Sequence, residues 1–399
     1  MLNQPGNGRV AEYVSALLAS ERYGGQVTHH RVLPSSDATH KNCIRPWPYA
    51  VEKLLADRHL SLYSHQALAI DHIRAGRSVV VATPTASGKS LIYNLPVLER
   101  FLSDPDTRAL YLFPLKALAQ DQLAAFQRLC SSWPRDSRPV AALYDGDTSA
   151  HFRRKIRRDP PTALITNPEM LHLAILPHHE QWITFLAGLS HVIVDEAHTY
   201  RGVFGSHMAQ VFQRLNRLVA LYGAQPTYIF CTATVGNPGE LAGNLLGAEE
   251  ADQPVVIDRS GAPQGPRHFV FMDPDLSPSS TAIDLLRAAL ARELRTIVYC
   301  RSRRMTELIS MWAGSQSFAG KISAYRAGFL PEERREIEAR MASGDLLAVV
   351  STSALELGID IGGLDILSGY RHGYHAAWRA SRACPTGIGC HHDCRGRRS

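Results

Sequence analysis

Residues 78–90 read SVVVATPTASGKS, an apolar run followed by a Gly-Lys-Ser turn. The run SVVVA is typical of a strand buried on both faces, and the next stretch, LIYNLPVLERFL, has helical periodicity. A turn between a strand and a helix can bind phosphate, because its backbone N–H groups and the positive end of the helix converge. The stretch therefore predicts a phosphate-binding loop over residues 83–90.

The loop differs from the common G-x-x-x-x-G-K-[ST] pattern at its first position, where Thr83 replaces glycine. We expect Lys89 to reach the β- and γ-phosphates and the Ser90 hydroxyl to bind Mg²⁺. The other loop residues expected to contact the nucleotide are Thr85, Ala86, Ser87 and Gly88. A chance Gly-Lys-Ser at a helix start is the alternative, but the preceding strand, the following helix and the acidic motif below argue against it.

The loop lies within an alternation of apolar runs and helical stretches. The runs ALYLFP, TALITN, HVIVDEA and TYIFCTAT are separated by stretches such as KALAQDQLAAFQRL and SHMAQVFQRLNRLVALYG. Apolar strands separated by helices predict an α/β fold with parallel sheets covered on both faces. The Gly- and Pro-rich segment DRSGAPQGPR reads as a linker, after which the alternation resumes, so two α/β domains are predicted.

The acidic motif VIVDEAH occupies residues 192–198. Its carboxylates follow a buried apolar run, so they are expected at the carboxyl edge of the sheet, where open α/β sheets bind ligands. We expect Asp195 to hold Mg²⁺ and Glu196 to orient and deprotonate the attacking water. An acid pair that caps the next helix is the alternative, and the phosphate loop about a hundred residues upstream makes it less favourable.

Three further segments supply candidate residues. In LYSHQALAI, Tyr63 is expected to stack on adenine and Gln66 to bind its edge, although a helix capped by Ser64 explains the segment equally well. In CTATVGN, Thr232 and Thr234 are expected to hydrogen-bond His198 and relay the nucleotide state. In VVSTSALELGIDI, residues 351–353 suit phosphate contacts, and Asp360 lies at a turn expected to face the nucleotide, with an ordinary capped turn as the alternative.

Composition restricts the class of protein. The chain has 399 residues, 45% of them hydrophobic, which is enough for two or three domains. It contains no apolar run of membrane-spanning length and no leader, so a cytoplasmic protein without membrane association is expected. Its net charge is +6, but residues 371–399 hold six arginines and one aspartate, so the rest is nearly neutral. Overall charge therefore does not indicate a polyanionic partner for the folded part.

Taken together, the motifs resemble those of superfamily 2 DEAD/DEAH-box helicases, in wording close to bacterial DNA-repair helicases of the mitomycin repair factor A type. The matching segments are LYSHQ (Q motif), ATPTASGKS (I), FPLKALAQDQ (Ia), TNPEML (Ib), VDEAH (II), TAT (III), VYCRSR (IV) and STSALELGIDIGGLD (V). The resemblance runs from about residue 47 to residue 370, and motifs I, II and V in that order are highly specific.

The resemblance implies two RecA-like domains, ATP with Mg²⁺, and a monomer that moves 3′ to 5′ along single-stranded or tailed DNA in repair. Strand contacts would fall on Lys116, Thr166, Arg301 and Thr352, and the catalytic set would be Lys89, Asp195, Glu196 and His198. An RNA helicase of the same superfamily is the alternative substrate class. The expected domains are an extension (1–60), an ATP-binding domain (61–255), a linker (256–267), an incomplete second domain (268–370) and a disordered basic tail (371–399).

The tail departs from the family pattern after Tyr370. The family continues with Pro-Gly and later Gly-Arg-x-Gly-Arg, whose arginines neutralise charge on the γ-phosphate; here Arg371 replaces proline, and Arg379 and Arg382 lack flanking glycines. A zinc site at Cys384, Cys390, Cys394, His391 and His392 has an unusual spacing. A basic nucleic-acid arm is a second interpretation. A change of reading frame after Tyr370 is favoured, and a truncated, non-catalytic chain is the matching functional alternative.

Overall fold

The structure is a computed structural model, and it describes residues 6–249, 252–275, 277–314, 318–326, 328–352, 363–369 and 376–380. These residues form an α/β protein with two seven-stranded sheets, so the predicted fold class is confirmed. The chain divides into two compact units. The first unit is residues 38–262, and the second unit joins residues 1–37 to residues 263–399.

The elements follow one another in a regular α/β order. The chain begins with α1 (Gly6–Leu18) and β1 (Val27–Leu33). The first unit then contains α2 (Tyr49–Asp57), α3 (Ser64–Arg74), β2 (Val79–Ala82), α4 (Lys89–Ser103), β3 (Arg108–Leu112), α5 (Lys116–Leu129), β4 (Ala141–Tyr144), α6 (Ala150–Arg158), β5 (Ala163–Thr166), α7 (Pro168–Met170), α8 (Ile183–Ala187), β6 (Leu189–Val194), α9 (Gly202–Leu221), β7 (Thr227–Thr232), α10 (Pro238–Leu246) and β8 (Val255–Ile257). The second unit continues with β9 (Arg267–Met272), α11 (Pro278–Leu290), β10 (Thr296–Tyr299), α12 (Arg303–Ala313), β11 (Ile322–Tyr325), α13 (Pro331–Ser343), β12 (Ala348–Ser351), β13 (Ile366–Gly369) and β14 (Ala376–Ala380).

The sheet of the first unit is entirely parallel, with strand order β4-β5-β3-β6-β7-β2-β8. Successive residues of β2 face opposite sides: Val79 and Val81 join one hydrophobic cluster and Val80 joins another. Both faces are therefore covered by helices, which explains why the strand reads as a continuous apolar run rather than an alternation. Because β6, β7 and β2 are neighbours, the segments that follow them lie at the same edge of the sheet.

The sheet of the second unit is mixed, whereas the alternation predicted parallel sheets only. Strands β13, β10, β12 and β11 are parallel, but β1, β9 and β14 join the same sheet in antiparallel pairings. Strand β14 lies in the segment expected to be disordered, and its backbone fills the place between β9 and β13. Without it, the ladder groups of both neighbours would have no partner on that side, which accounts for a strand at residues 376–380. The zinc residues of the tail lie outside the described residues.

The N-terminal segment divides between the two units, whereas a single extension was expected. Helix α1 places Val10, Tyr13, Val14 and Leu17 on one face, and they pack in a cluster with residues of β9 and α11. Strand β1 pairs with β9 along six residues. At the other boundary, β8 pairs with β2, so residues 255–257 belong to the first sheet rather than to the linker.

Two further findings concern membrane-spanning helices and the cysteines. No helix among the described residues is long and apolar enough to span a bilayer. The four cysteines in the described part of the chain, Cys43, Cys130, Cys231 and Cys300, are free thiols.

Candidate active site

The predicted phosphate loop is a tight turn between β2 and α4. Gly88 has φ +75°, and Ala86 has φ +56°, a left-handed conformation that residues with a Cβ rarely adopt. The Thr83 hydroxyl lies 2.7 Å from the Ser87 hydroxyl, and both side chains are buried. Thr83 thus braces the loop from within, which explains a hydroxyl residue where the common pattern has glycine. The loop has the strand-turn-helix context that was predicted.

Lys89 is the first residue of α4, and its ammonium group folds back over the loop. Nζ donates to the carbonyl oxygens of Thr83 at 2.9 Å and Pro84 at 3.2 Å. Ser90 follows on the helix and is partly buried, while Thr85 is partly buried and Ala86 exposed. These backbone carbonyls hold the ammonium at the loop, where a phosphate oxygen would compete for the same N–H groups.

Asp195 and Glu196 follow β6 at the same edge of the sheet. Asp195 is 9% exposed, and its Oδ1 accepts a 2.9 Å hydrogen bond from the Glu196 backbone N–H. Glu196 has φ +50°, so the backbone is strained where the two carboxylates meet, as is common at functional sites. Burial raises the pKa of Glu196 to about 7, the Asp195 charge also raises it, and the Lys89 charge lowers it. Burial likewise raises the pKa of Asp195, and Lys89 is the largest opposing influence.

His198 connects the acid pair to β7. Its Nδ1 lies 3.3 Å from Glu196 Oε2 and 3.3 Å from the Thr232 hydroxyl. The predicted hydrogen bond between Thr232 and His198 is therefore present. Burial lowers the pKa of His198, and the charges of Arg201 and Lys89 lower it further, which favours the neutral ring. Within the described residues, His198 Nε2 and the Tyr200 hydroxyl are buried without a hydrogen-bond partner.

Gln66 was expected to contact adenine, but its amide contacts the phosphate loop. Its Oε1 accepts from the Tyr63 backbone N–H at 2.8 Å, and its Nε2 donates to the Gly88 carbonyl at 2.8 Å. The residue is 1% exposed, so the amide is already used at both ends. Tyr63 is the N-cap of α3, and Ser64 is its first residue rather than the cap. The Tyr63 ring packs near the rings of His40 and His65.

His65 was not among the predicted site residues, yet it also contacts the loop. Its Nδ1 accepts a 3.1 Å hydrogen bond from the Gly261 backbone N–H, so Nε2 carries the proton and donates to the Ser87 carbonyl at 3.1 Å. A Cβ at Gly261 would contact the Ser64 hydroxyl and lie 2.8 Å from the Thr39 carbonyl, so only glycine fits there. The ring thus joins the end of the first unit to the phosphate loop. In the sequence, the position of His65 next to Gln66 is the one feature that points to a role for it at the loop.

We expect His65→Phe to loosen this bridge. The substitution leaves the Gly261 N–H buried without a partner, at about 1–3 kcal/mol, and leaves the Ser87 carbonyl with only the longer 3.4 Å hydrogen bond from Gln66 Nε2. Amide hydrogen exchange should therefore be about 5- to 150-fold faster at Gly261, while His172→Phe, on an exposed residue, should leave it unchanged. Unaltered exchange at Gly261 in His65→Phe would contradict the bridge.

The pH dependence of the same bridge has a definite direction. Burial lowers the pKa of His65 from 6.5 to about 4, so the folded state holds the ring neutral. Its contribution to stability is fully present above pH 6.5 and is lost as the pH falls towards 4. The protection of the Gly261 amide against exchange, measured relative to the intrinsic rate at each pH, should therefore fall in that window in the native chain and less so in His65→Phe.

The two strand-contact candidates of the first unit behave differently. Lys116 begins α5 with an exposed side chain, and its ammonium pairs with Asp147 at 2.8 Å. Thr166 is 1% exposed, and its hydroxyl donates to the Tyr144 carbonyl at 2.5 Å. The expected contact between the Thr166 side chain and a nucleic acid is therefore at odds with the structure, because β5 turns this hydroxyl toward the neighbouring strand β4. Asn167, the next residue, caps α7 instead.

The two candidate nucleic-acid contacts of the second unit come after neighbouring strands of its sheet. Arg301 comes two residues after β10 and is exposed, and Thr352 comes directly after β12 and is partly buried. The two strands are paired in parallel with Tyr299 opposite Ser351, so both candidates lie at one edge. Asp360 lies outside the described residues, as do the tail residues except the backbone of β14.

The first-unit residues fit a nucleotide and a divalent cation. Asp195 and Glu196 are carboxyl groups whose pKa values are raised by burial, and carboxylate oxygens are hard ligands for a divalent cation. The Ser90 hydroxyl is at the start of α4, and Lys89 influences both carboxyl groups. Within the described residues, no group of three or more His, Cys, Asp or Glu side chains forms a metal site supplied by the protein alone. A cation bound here would depend on phosphate and water for its remaining ligands, as Mg²⁺ usually does.

Comparisons with known proteins agree with this geometry. A DEAD/DEAH box helicase family model matches residues 63–241, and a helicase conserved C-terminal domain model matches residues 280–373. The uncharacterized ATP-dependent helicase YprA of Bacillus subtilis is 41% identical, over 94% of this chain and 51% of its own length. The ATP-dependent helicase HRQ1 of Saccharomyces cerevisiae is 37% identical, over 89% of this chain and 34% of its own length.

Solved structures that resemble this chain are also helicases. The DUF1998 helicase MrfA bound to DNA and AMPPNP is 40% identical, covers 90% of this chain and 50% of its own, and superposes with a TM-score of 0.83. The Mycobacterium smegmatis helicase Lhr bound to ssDNA and AMP-PNP is 26% identical, with a TM-score of 0.61. The chain thus spans between about a third and a half of the length of these relatives. Its two α/β units are RecA-like, and the chain belongs to the DEAD/DEAH box helicases.

Proposed function

We propose that this chain hydrolyses ATP and uses the reaction to move along single-stranded DNA, 3′ to 5′, as the motor part of a DNA-repair helicase. The observation that carries the proposal is the convergence of Lys89, Asp195 and Glu196. Lys89 lowers the pKa of both carboxyl groups, which means that the phosphate loop and the acid pair form one electrostatic site. Such a site holds the parts that phosphoryl transfer to water requires.

Each residue of the site has a separate task in this proposal. Lys89 and the loop N–H groups bind the phosphates, and Thr83, His65 and Gln66 brace the loop through hydrogen bonds. Mg²⁺, held by Ser90 and Asp195, would supply positive charge beside the phosphates. Glu196 orients a water molecule and accepts its proton, a role that suits a carboxyl group whose pKa is raised to about 7. His198 fixes the Glu196 carboxylate and connects it to Thr232.

DNA as the substrate is supported by the relatives. The structure of MrfA was solved with DNA, and that of Lhr with ssDNA. Lys116 in the first unit and Arg301 and Thr352 in the second are the residues we propose to contact the phosphate backbone of the strand. Contacts of this kind bind without reading the bases, which a motor that moves along any sequence requires.

The test is ATP turnover with and without nucleic acid. We expect oligo-dT to stimulate phosphate release by this chain, and oligo-rU of the same length to do so less. A duplex with a 3′ single-stranded tail should be unwound faster than one with a 5′ tail. Equal stimulation by both oligonucleotides would mean that the chain does not distinguish DNA from RNA. Faster unwinding of the 5′-tailed duplex would reverse the proposed direction. No ATP turnover under any of these conditions would refute the motor function for this chain.

A further inference from the structure

Helix α6 carries an uncompensated cationic face that no motif assigns to the strand-binding site. Its sequence, AHFRRKIRR, holds five basic residues and no acidic one. His151, Arg154, Lys155 and Arg158 are all exposed, and their spacing of three and four residues places them on one face. Ile156 on the opposite face is buried in the core. The helix therefore presents its charged side to solvent as a continuous stripe, here called the α6 stripe (residues 151, 154, 155 and 158).

The charge of the stripe is not neutralised by the first unit. None of the ion pairs formed among the described residues involves Arg154, Lys155 or Arg158. The nearest acids along the chain are Asp159, the C-cap of α6, and Asp147, which pairs with Lys116. Cations in the last turn favour the helix through its dipole. Arg154 and Arg158, however, are four residues apart and repel each other by about 0.2–0.5 kcal/mol. A covering anion would remove that repulsion.

An aromatic pair lies at the start of the same helix. The Phe152 side chain is 57% exposed, and the His151 ring meets it edge-on at 5.7 Å between centroids. More than half of the Phe152 side chain therefore remains open to a ligand. Aromatic rings next to cations are the combination that binds single-stranded nucleic acids, because bases stack on the rings while phosphates meet the charges.

Helix α6 is fixed next to Lys116 rather than placed at random on the surface. The Arg153 guanidinium donates to the Thr148 carbonyl at 2.8 Å and to the Asp145 carbonyl at 2.8 Å. This ties the first turn of α6 to the 145–148 turn, whose Asp147 holds Lys116. A Cβ at Gly146 would lie only 3.7 Å from the Lys116 ammonium. The stripe and the proposed strand contact therefore share one rigid segment.

We propose that the α6 stripe and Phe152 form an additional binding site for single-stranded DNA, extending the strand-binding surface beyond Lys116. The inference rests on the proposed function for the identity of the strand, but its binding can be measured without ATP. Arg154, Lys155 and Arg158 contact phosphates, and Phe152 stacks on a base. A duplex offers phosphates but hides its base faces, so the aromatic part of the site selects the single strand.

The test is the affinity of the full chain for a fluorescent oligo-dT across a salt series. Each lost phosphate contact lowers the slope of log K against log salt by about 0.7 and costs roughly fivefold at 0.1 M salt. We expect Arg154→Gln/Arg158→Gln to lower the slope by about 1.4 and the affinity about 25-fold. The matched control, Arg214→Gln/Arg217→Gln in the C-terminal half of α9, removes the same charge elsewhere on the first unit. ATP turnover without DNA should be equal in all three chains, which reports correct folding.

The aromatic part has its own control. Phe152→Ala should weaken binding of oligo-dT by about 5- to 150-fold and leave binding of an abasic strand of equal length unchanged. Native affinity and slope in the α6 double variant, or equal losses in the α9 control, would overturn the site. Equal losses of duplex and single-strand binding in Phe152→Ala would overturn the single-strand assignment. If the variants lose binding as expected but the native chain hydrolyses no ATP, the α6 site is supported and only the motor function is refuted.

Discussion

ATP hydrolysis by Glu196→Gln should be about 10²–10⁴ times slower than by the native chain, because the amide cannot accept the proton of the attacking water. The substitution keeps the shape of the side chain, and an amide oxygen can keep the contact with His198 Nδ1, which lies 3.3 Å from Glu196 Oε2. Nucleotide binding should therefore survive. The measurement is single-turnover phosphate release beside the affinity for a non-hydrolysable ATP analogue.

The control for this variant is Glu180→Gln, which removes one exposed carboxylate outside the site. It should hydrolyse ATP at the native rate. Glu196→Asp gives a second comparison, because it keeps the base but shortens its reach, and an intermediate rate is expected. Glu196 would lose its assigned role if Glu196→Gln released phosphate as fast as the native chain. A loss of analogue binding in Glu196→Gln would instead indicate that the carboxylate is needed to build the site.

Lys89→Ala should weaken ATP binding about 10- to 150-fold, the effect of losing a charge-assisted hydrogen bond worth about 1.5–3 kcal/mol. The ammonium is already held at the loop by the Thr83 and Pro84 carbonyls, so little ordering is needed when phosphate arrives. Its removal also takes away the charge that lowers the pKa of Asp195 and Glu196. Both carboxyl groups should then be protonated to a larger extent at neutral pH, which would weaken cation binding as well.

The measurement is equilibrium titration with a fluorescent ATP analogue, with and without Mg²⁺. Lys116→Ala is the matched control, because it removes an exposed ammonium of the same unit that lies outside the phosphate loop. This variant should bind nucleotide with native affinity and should lose affinity only for DNA. Full nucleotide affinity in Lys89→Ala would place the triphosphate somewhere other than the 83–90 loop.

The fold class and the core of the site could be predicted because they depend on local patterns. A strand buried on both faces reads as an apolar run, and a carboxylate after such a run must lie at the edge of the sheet, as Asp195 does. The roles of Gln66 and Thr166 could not be predicted in this way. The Gln66 amide donates to the 83–90 loop and the Thr166 hydroxyl donates to β4, contacts that only the folded chain brings together.

The division into units was also beyond local patterns. Helix α1 and β1 find their partners in β9 and α11, more than two hundred residues along the chain, so nothing near residue 20 indicates where they belong. The role of His65 was not predicted for a related reason, because its partner Gly261 is 196 positions away. Sequence patterns thus locate chemistry at strand ends but do not show which distant segments brace it.

The pairing of β1 with β9 has a consequence for biosynthesis. At roughly 5–20 residues per second, the ribosome needs on the order of 10–50 s to extend the nascent chain from β1 to β9. During that interval the apolar side of α1 has no native surface to cover it, while residues 38–262 emerge as one uninterrupted segment able to fold first. The newborn N-terminus therefore exposes an apolar helix face that a chaperone would shield until β9 and α11 emerge.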